Sequence, residues 1–287
     1  MTIECLKSLQ DQKYSNFEII IIENNSNIDE KNILISNIKN LNQIFQEKIQ
    51  VIKQTKNYGF AEGNNIGIKK SIGEYILLLN NDTEFQSNFL QKCMNFFKND
   101  SIDIMSPKIM YFNNKDVIWD AGGFIKSFTP GLSSSRGARE IDKGQYDFIT
   151  SPDYTAGCCF FIKRKVLTTV GMLDADYFIY FEEADLCWRA KSKGFKIVFY
   201  PYAKIFHKVN DGLTDFHTFL LFRNKFIFLL KFFPIYKIII QFILQPIQIV
   251  AFSINLKQKS ISFRTIRKCM KFIFLGIRAG LLKRFRN

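Results

Sequence analysis

Four places in this 287-residue chain bring together side chains able to do chemistry. Glu23 heads Glu23-Asn24-Asn25-Ser26, directly after the apolar stretch Glu18–Ile22. Asp82 closes Asn80-Asn81-Asp82, after Tyr75–Leu79. His207 comes soon after a third stretch, Lys196–Tyr200, and Glu182 and Glu183 stand side by side at the start of a helical pattern holding Asp185 and Arg189. Strand ends of an open α/β sheet converge on one edge, where such sheets take their ligands. Asp82 and His207 could there share one Mg2+ or Mn2+ with the diphosphate of a nucleotide, because these cations combine carboxylates with substrate phosphates. The metal would neutralise charge on a departing diphosphate. One carboxylate of the Glu pair, facing a hydroxyl, would serve as general base. Plainer readings stand beside these. A carboxylate after a strand closes a turn, acids at a helix start suit its dipole, and Asp185 and Arg189, four apart, form an ion pair.

The elements that must position these groups follow from periodicity. Ile3–Leu9, Asn32–Phe45, Phe89–Phe97, Lys165–Val170 and Glu182–Lys193 carry helical spacing, the last ending at Gly194. Glu18–Ile22, Gln50–Lys53, Tyr75–Leu79, Cys158–Lys163 and Lys196–Tyr200 read as strands, the last halted by Pro201. Tyr75–Leu79 is apolar throughout, as expected of a central strand covered on both faces. Before it, Asn57-Tyr58-Gly59-Phe60-Ala61-Glu62-Gly63-Asn64-Asn65-Ile66-Gly67 forms a Gly/Asn-rich turn and short amphipathic stretch, where backbone can approach a ligand closely. Ser127–Ile149 is the most loop-like segment, of a length associated with function or mobility. Alternating strands and helices predict a Rossmann-like, mostly parallel sheet flanked by helices.

Charge divides the chain. From Thr218 to Asn287 there are fourteen Lys/Arg and no Asp or Glu, while Met1–His217 carries 26 residues of each sign. The basic residues of the last quarter alternate with Phe, Ile and Leu rather than with Gly, Ser and stacking aromatics, which argues against nucleic acid and for an anionic membrane surface. Ile235–Leu256 has the length to span a bilayer, but Gln241, Gln245, Pro246 and Gln248 interrupt it. Arg264–Arg286 has the composition of an interfacial helix. Spanning and interfacial readings both stand. The six cysteines lack CxxC spacing and fit reduced thiols in a cytoplasmic setting. No secretory signal pattern opens the chain.

Taken together, Glu23-Asn-Asn-Ser, the Asn57–Gly67 block, Leu79-Asn-Asn-Asp82, Ala156-Gly157, Gly171-Met-Leu-Asp174, Tyr177–Arg189, His207 and Arg223-Asn224 occur in an order that resembles family 2 glycosyltransferases of the GT-A fold, especially rhamnosyltransferase-like members. The resemblance implies a GT-A domain over 1–217 and a basic, apolar, helical, membrane-associated tail over 218–287. It also implies an inverting, metal-dependent hexosyltransferase acting on a nucleotide sugar and a lipid-linked or polysaccharide acceptor at the cytoplasmic face of the cell membrane. By position, Glu23, Asn25, Asn57, Gly59, Asn64, Asn80 and Asn81 fall on the donor-nucleotide side. Asp82 and His207 match the metal-binding positions for Mg2+ or Mn2+, and Glu183 falls on the base. Ala156, Gly157, Glu182 and Trp119 lie on the acceptor side. Three positions depart from the family pattern: Asn80 replaces an acid of the DxD-type motif, and Glu23 and Glu183 replace Asp. The family also opens with an apolar strand, whereas this chain begins within the helix that follows, so a truncated, catalytically impaired, membrane-binding protein is the alternative expectation.

Overall fold

The computed structural model describes residues 1–126, 128–129, 132–209, 214–245, 247–248, 271, 273–278 and 280–281. In chain order it contains α1 (Thr2–Gln10), β1 (Ile19–Glu23), α2 (Ile28–Ile44), β2 (Ile49–Lys53), α3 (Gly59–Lys70), β3 (Tyr75–Leu79), β4 (Thr83–Phe85), α4 (Phe89–Phe97), β5 (Ile104–Tyr111), β6 (Ile118–Asp120), β7 (Gly123–Ile125), β8 (Ser133–Ser135), β9 (Cys159–Lys163), α5 (Arg164–Val170), α6 (Glu182–Ser192), β10 (Ile197–His207), α7 (Asp215–Phe232) and α8 (Ile235–Ile243). Two compact units result. The first takes 1–123, 135–178 and 182–210, and the second takes 124–134, 179–181 and 211–287.

The first unit is built on a sheet of order β3-β9-β5-β10-β4, with β6 added to β5 and a separate parallel pair β1-β2. β10 runs parallel to β5, but β9 is antiparallel to β3 and β5, and β4 is antiparallel to β10. The sheet is therefore mixed rather than mostly parallel. A parallel neighbour needs a crossover, usually a helix. Among the described residues the chain has no α-helix between β6 and β9, and β9 enters from the opposite end. β3 pairs with β9 alone, so it is an edge strand here and not a central one. Its burial matches: Ile76 and Leu78 are buried, while Tyr75, Leu77 and Leu79 are half-buried.

Pro201 does not halt β10. Pairing to β5 passes from Tyr200–Pro107 directly to Lys204–Lys108, so the register skips 201–203 in a bulge. A proline has no N–H for a ladder, and a bulge is where a strand tolerates one. The strand then continues to His207. α4 closes one face: Phe89, Leu90, Cys93, Met94 and Phe97 recur at helical spacing and join Met105, Ile109, Phe161 and Ile205 in the main core. Fully burying each such side chain contributes about 1.5–3 kcal/mol. The later part of the Ser127–Ile149 segment is tied down, because Asp142 and Asp147 both pair with the fully buried Lys108, and Asp142 also pairs with Lys204 at 2.7 Å.

In the second unit, α7 starts at Thr214, whose Oγ1 accepts from the His217 N–H, and buries Phe222, Phe226, Phe228 and Leu229. Asn224, fully buried, donates to the carbonyls of Ile179 and Tyr180 at 2.8 Å each, which ties 179–181 to this unit. Pro234 separates α7 from α8, where its fixed φ suits the position before a helix. α8 ends at Ile243, and among the described residues no helix is long and apolar enough to cross a membrane. Residues 246 and 249–256 of the expected span and most of 264–286 lie outside the described residues.

Candidate active site

Two clusters of the first unit collect the residues singled out in the sequence. The first joins the end of β1 to the start of α3. Asn24 bridges them: its Nδ2 donates to Asn57 Oδ1 (3.1 Å) and the Gly59 carbonyl (3.0 Å), and its Oδ1 accepts from the Tyr58 N–H (2.9 Å). Asn57 Oδ1 also accepts from the Gly59 N–H at 2.8 Å. Gly59 adopts φ +77°, and a Cβ there would lie 2.6 Å from the ring and carbonyl of Phe178. That carbonyl accepts the Phe60 and Ala61 N–H groups, so the free end of α3 is capped from within the protein. Glu23 is buried, accepts from the Ser26 N–H at 2.6 Å and has Lys31 Nζ 3.8 Å away. Asn25, at φ 61°, accepts from the same lysine at 2.7 Å. Asn64 bonds back to the Phe60 carbonyl inside α3, whereas its neighbour Asn65 is buried and clasps both the N–H and the carbonyl of Leu173.

The second cluster lies where β3, β6 and β10 end. Asn80 donates its N–H to the Cys158 carbonyl, and its own carbonyl accepts from Thr83 Oγ1. Asn81 is exposed and bonds Thr2. Asp82 Oδ1 faces His207 Nε2 at 3.2 Å, and the Trp119 indole stands edge-on to the His207 ring with centroids 4.7 Å apart. Ala156 is buried, and a Cβ on Gly157 would touch the Phe60 ring at 3.4 Å, which brings the two clusters side by side.

α6 supplies the acids. Burial raises both Glu182 and Glu183, and a hydrogen bond between their carboxyls raises Glu182 further while lowering Glu183. Glu183 is pushed up to about 7, and Glu182 is held well above the usual carboxylate range. Asp120, fully buried at the end of β6, accepts from the Gly122 N–H at 3.0 Å and is raised by burial to about 6. Burial raises the Cys158 thiol, and the charges of Asp120, Asp82 and Glu183 push it further. One thiol thus feels carboxylates from β6, the β3–β4 turn and α6. Asp185 and Arg189 form the ion pair that their spacing predicts, at 2.6 Å, and Tyr177 OH also donates to Asp185.

Residues 1–171 match the family described as Glycosyl transferase family 2. The chain belongs to this family. It is 27% identical over 191 residues to the low-salt glycan biosynthesis hexosyltransferase Agl10 of Haloferax volcanii, covering 63% of this chain and 60% of that one. It is 24% identical over 206 residues to the dTDP-rhamnosyl transferase RfbF of Shigella flexneri, covering 71% and 64%. The chain therefore spans less than two thirds of either relative. In fold it is similar to the crystal structure of GalNAc-T7 with UDP, GalNAc and Mn2+ (TM-score 0.60, 16% identity, 73% of this chain and 40% of that one). The mixed sheet with flanking helices is the GT-A fold.

A metal is tested by the donors present. Among the described residues no group of three His, Cys, Asp or Glu could hold one unaided. His207 Nδ1 is nevertheless buried without a hydrogen-bond partner, and the buried Asp82 Oδ1 makes no hydrogen bond beyond its 3.2 Å approach to His207 Nε2. Buried polar atoms are rarely left so. One carboxylate and one imidazole fit a cation that takes its remaining ligands from a substrate phosphate, as Mg2+ and Mn2+ do. Sequence reasoning gave Asn24 and Asp120 no role of their own. Asn24 was hidden between two residues of its own turn. The signal for Asp120 was present in Trp119-Asp120-Ala121-Gly122, where a glycine two residues on offers its N–H to the carboxylate.

Proposed function

We propose that this chain transfers a hexosyl group, with inversion, from a nucleoside-diphosphate sugar to a hydroxyl of a lipid-linked or polysaccharide acceptor in cell-surface glycan synthesis. The observation that carries the proposal is Glu183: an acid at the start of α6, next to Glu182, that burial raises to about 7. A base works best with a pKa near the working pH. Glu183 takes the proton of the acceptor hydroxyl, whose oxygen attacks the anomeric carbon from the face opposite the diphosphate. The new C–O bond forms as the bond to the diphosphate oxygen breaks, and the nucleoside diphosphate leaves. Asp82 and His207 would hold Mg2+ or Mn2+, which supplies positive charge to the leaving diphosphate. The turn tied by Asn24, Asn57 and Gly59 positions the nucleoside, with Glu23 and Asn25 at its margin and Asn64, Asn80 and Asn81 around it. Trp119, Ala156, Gly157 and Glu182 face the acceptor. The Shigella relative's name makes dTDP-rhamnose the first donor to try. Five free, buried cysteines among the described residues support placement on the cytoplasmic face of the cell membrane.

A second reading, a GT-A protein without turnover, is favoured by one observation: the Glu23 carboxylate is engaged by Ser26 and Lys31. Incubating the purified chain with a panel of nucleotide sugars, Mn2+ and lipid-linked acceptors separates the two. A product of the mass of one added hexosyl unit, with inverted anomeric configuration by NMR, is expected. Retained configuration refutes the mechanism, and no product from any donor favours the second reading.

A further inference from the structure

The polar residues of the α8 segment point inward. Gln241 is fully buried and its Nε2 donates to the Thr129 carbonyl at 2.7 Å. Gln245, also buried, and Gln248 accept from Nζ of Lys225 at 3.0 and 2.7 Å, and Gln245 Nε2 donates to Gln248 at 2.8 Å. Lys225 belongs to α7 and is only 1% exposed. Positions 241, 245 and 248 share one helical face. A buried ammonium requires acceptors, and these amides supply them, so the polar stripe turns to the inside of the unit.

The apolar residues take the outside. Ile235, Tyr236, Ile239, Phe242 and Ile243 are 46 to 68% exposed, and Ile247 beyond them is 57% exposed. The glutamines that interrupt the apolar run in the sequence are therefore the inner face of an inverted amphipathic helix. Its regular part, Ile235–Ile243, is nine residues or about 14 Å long, and among the described residues no helix is long and apolar enough to cross a membrane. An apolar outer face over a polar inner one is the pattern of a helix that lies along an interface.

Charge selects the occupant. Residues 218–287 carry fourteen Lys/Arg and no acid. Anionic headgroups complement this excess of positive charge in the sequence around the apolar face. We propose that the exposed face of α8 docks on an anionic lipid bilayer, with Ile235, Tyr236, Ile239, Phe242 and Ile243 entering the boundary between headgroups and acyl chains. The inference stands apart from the transfer reaction.

Vesicle flotation of the whole chain tests it. Binding is expected to vesicles containing phosphatidylglycerol, with binding to phosphatidylcholine alone weaker by about tenfold or more and a decline with added salt. The double substitution Ile239→Glu with Phe242→Glu, at positions already exposed, is expected to weaken binding by about tenfold or more. Tyr236→Trp supplies a reading that needs no loss of function: the emission of the introduced indole shifts to the blue on adding anionic vesicles. Equal binding to both vesicle types, or an emission from the Tyr236→Trp variant that anionic vesicles leave unshifted, overturns the proposal. So does a dimer in sedimentation analysis that the double substitution dissociates while vesicle binding is absent.

Discussion

Both compact units bury ionisable groups, and they complete them differently. In the first, burial lifts Glu183 from an ordinary 4.5 to about 7; in the second, burial lowers Lys225 from 10.5 to about 7. The same desolvation moves an acid and an amine to the same point from opposite sides. What separates them is the state of their remaining bonds. Lys225 donates to Gln245 and Gln248. Glu182, Glu183 and Asp120 each leave one oxygen buried with no hydrogen-bond partner. A satisfied buried network fixes a fold, whereas an unsatisfied one calls for something else to satisfy it. The contrast supports the proposed reading of the acids as the working site, with the lysine as scaffolding.

The largest effect should come from testing that division directly. Glu183→Gln removes the proton acceptor while keeping the volume, and turnover is expected to fall by about 10²–10⁴-fold. Lys225→Met, at a group that burial moves to the same point, is expected to leave turnover within about twofold of the parent. Steady-state kinetics with the donor that the panel identifies measures both. Similar losses in the two variants would erase the comparison.

Stability should separate the two groups next, with opposite signs. The folded pKa of Glu183 is raised, so the folded chain holds this proton between 4.5 and about 7 and its contribution is lost as pH rises through that window. The folded pKa of Lys225 is lowered, so the unfolded chain holds more proton between about 7 and 10.5 and stability is lost as pH falls through that window. Each group acts at about 1.4 kcal/mol per pH unit at most. Denaturant titrations across pH are therefore expected to show Glu183→Gln gaining on the parent as pH rises toward 7. Lys225→Met should gain on it as pH falls toward 7. Parallel curves for parent and variants would show that neither group is buried as the structure places it.

The contrast also explains what could be read from the sequence. Several element positions were legible because β-branched runs such as Ile19–Ile22 and helical spacing such as Phe89–Phe97 depend on local pattern, whereas β5, interrupted by Ser106, Pro107 and Lys108, was not. The candidate acids were legible because each follows an apolar run. Strand direction was not, since the path from β6 to β9 depends on where a long connection returns. The bulge at Pro201 was hidden because a proline reads as a stop until the partner strand shows that 201–203 have no pairing to lose. Lys225 and the inward glutamines were least legible. A lysine among phenylalanines reads as a surface charge, and only packing reveals that Lys225 lies inside.

The smallest effect probes how the acids tune one another. The Glu182 hydrogen bond lowers Glu183, while the charge of Asp120 raises it. Glu182→Ala deletes the donor, so the acid limb of kcat/KM, which reports the base in the free enzyme, should move upward from about 7. Glu182→Gln keeps an N–H in its place and should move the limb less. Asp120→Asn keeps an acceptor for the Gly122 N–H but removes the charge, and should move the limb downward. Each displacement is expected to be a few tenths of a unit to about one unit. A limb that ignores all three substitutions would mean that the pH dependence belongs to another group. The unpartnered oxygens on α6 and β6 would then no longer distinguish this region from the closed network around Lys225.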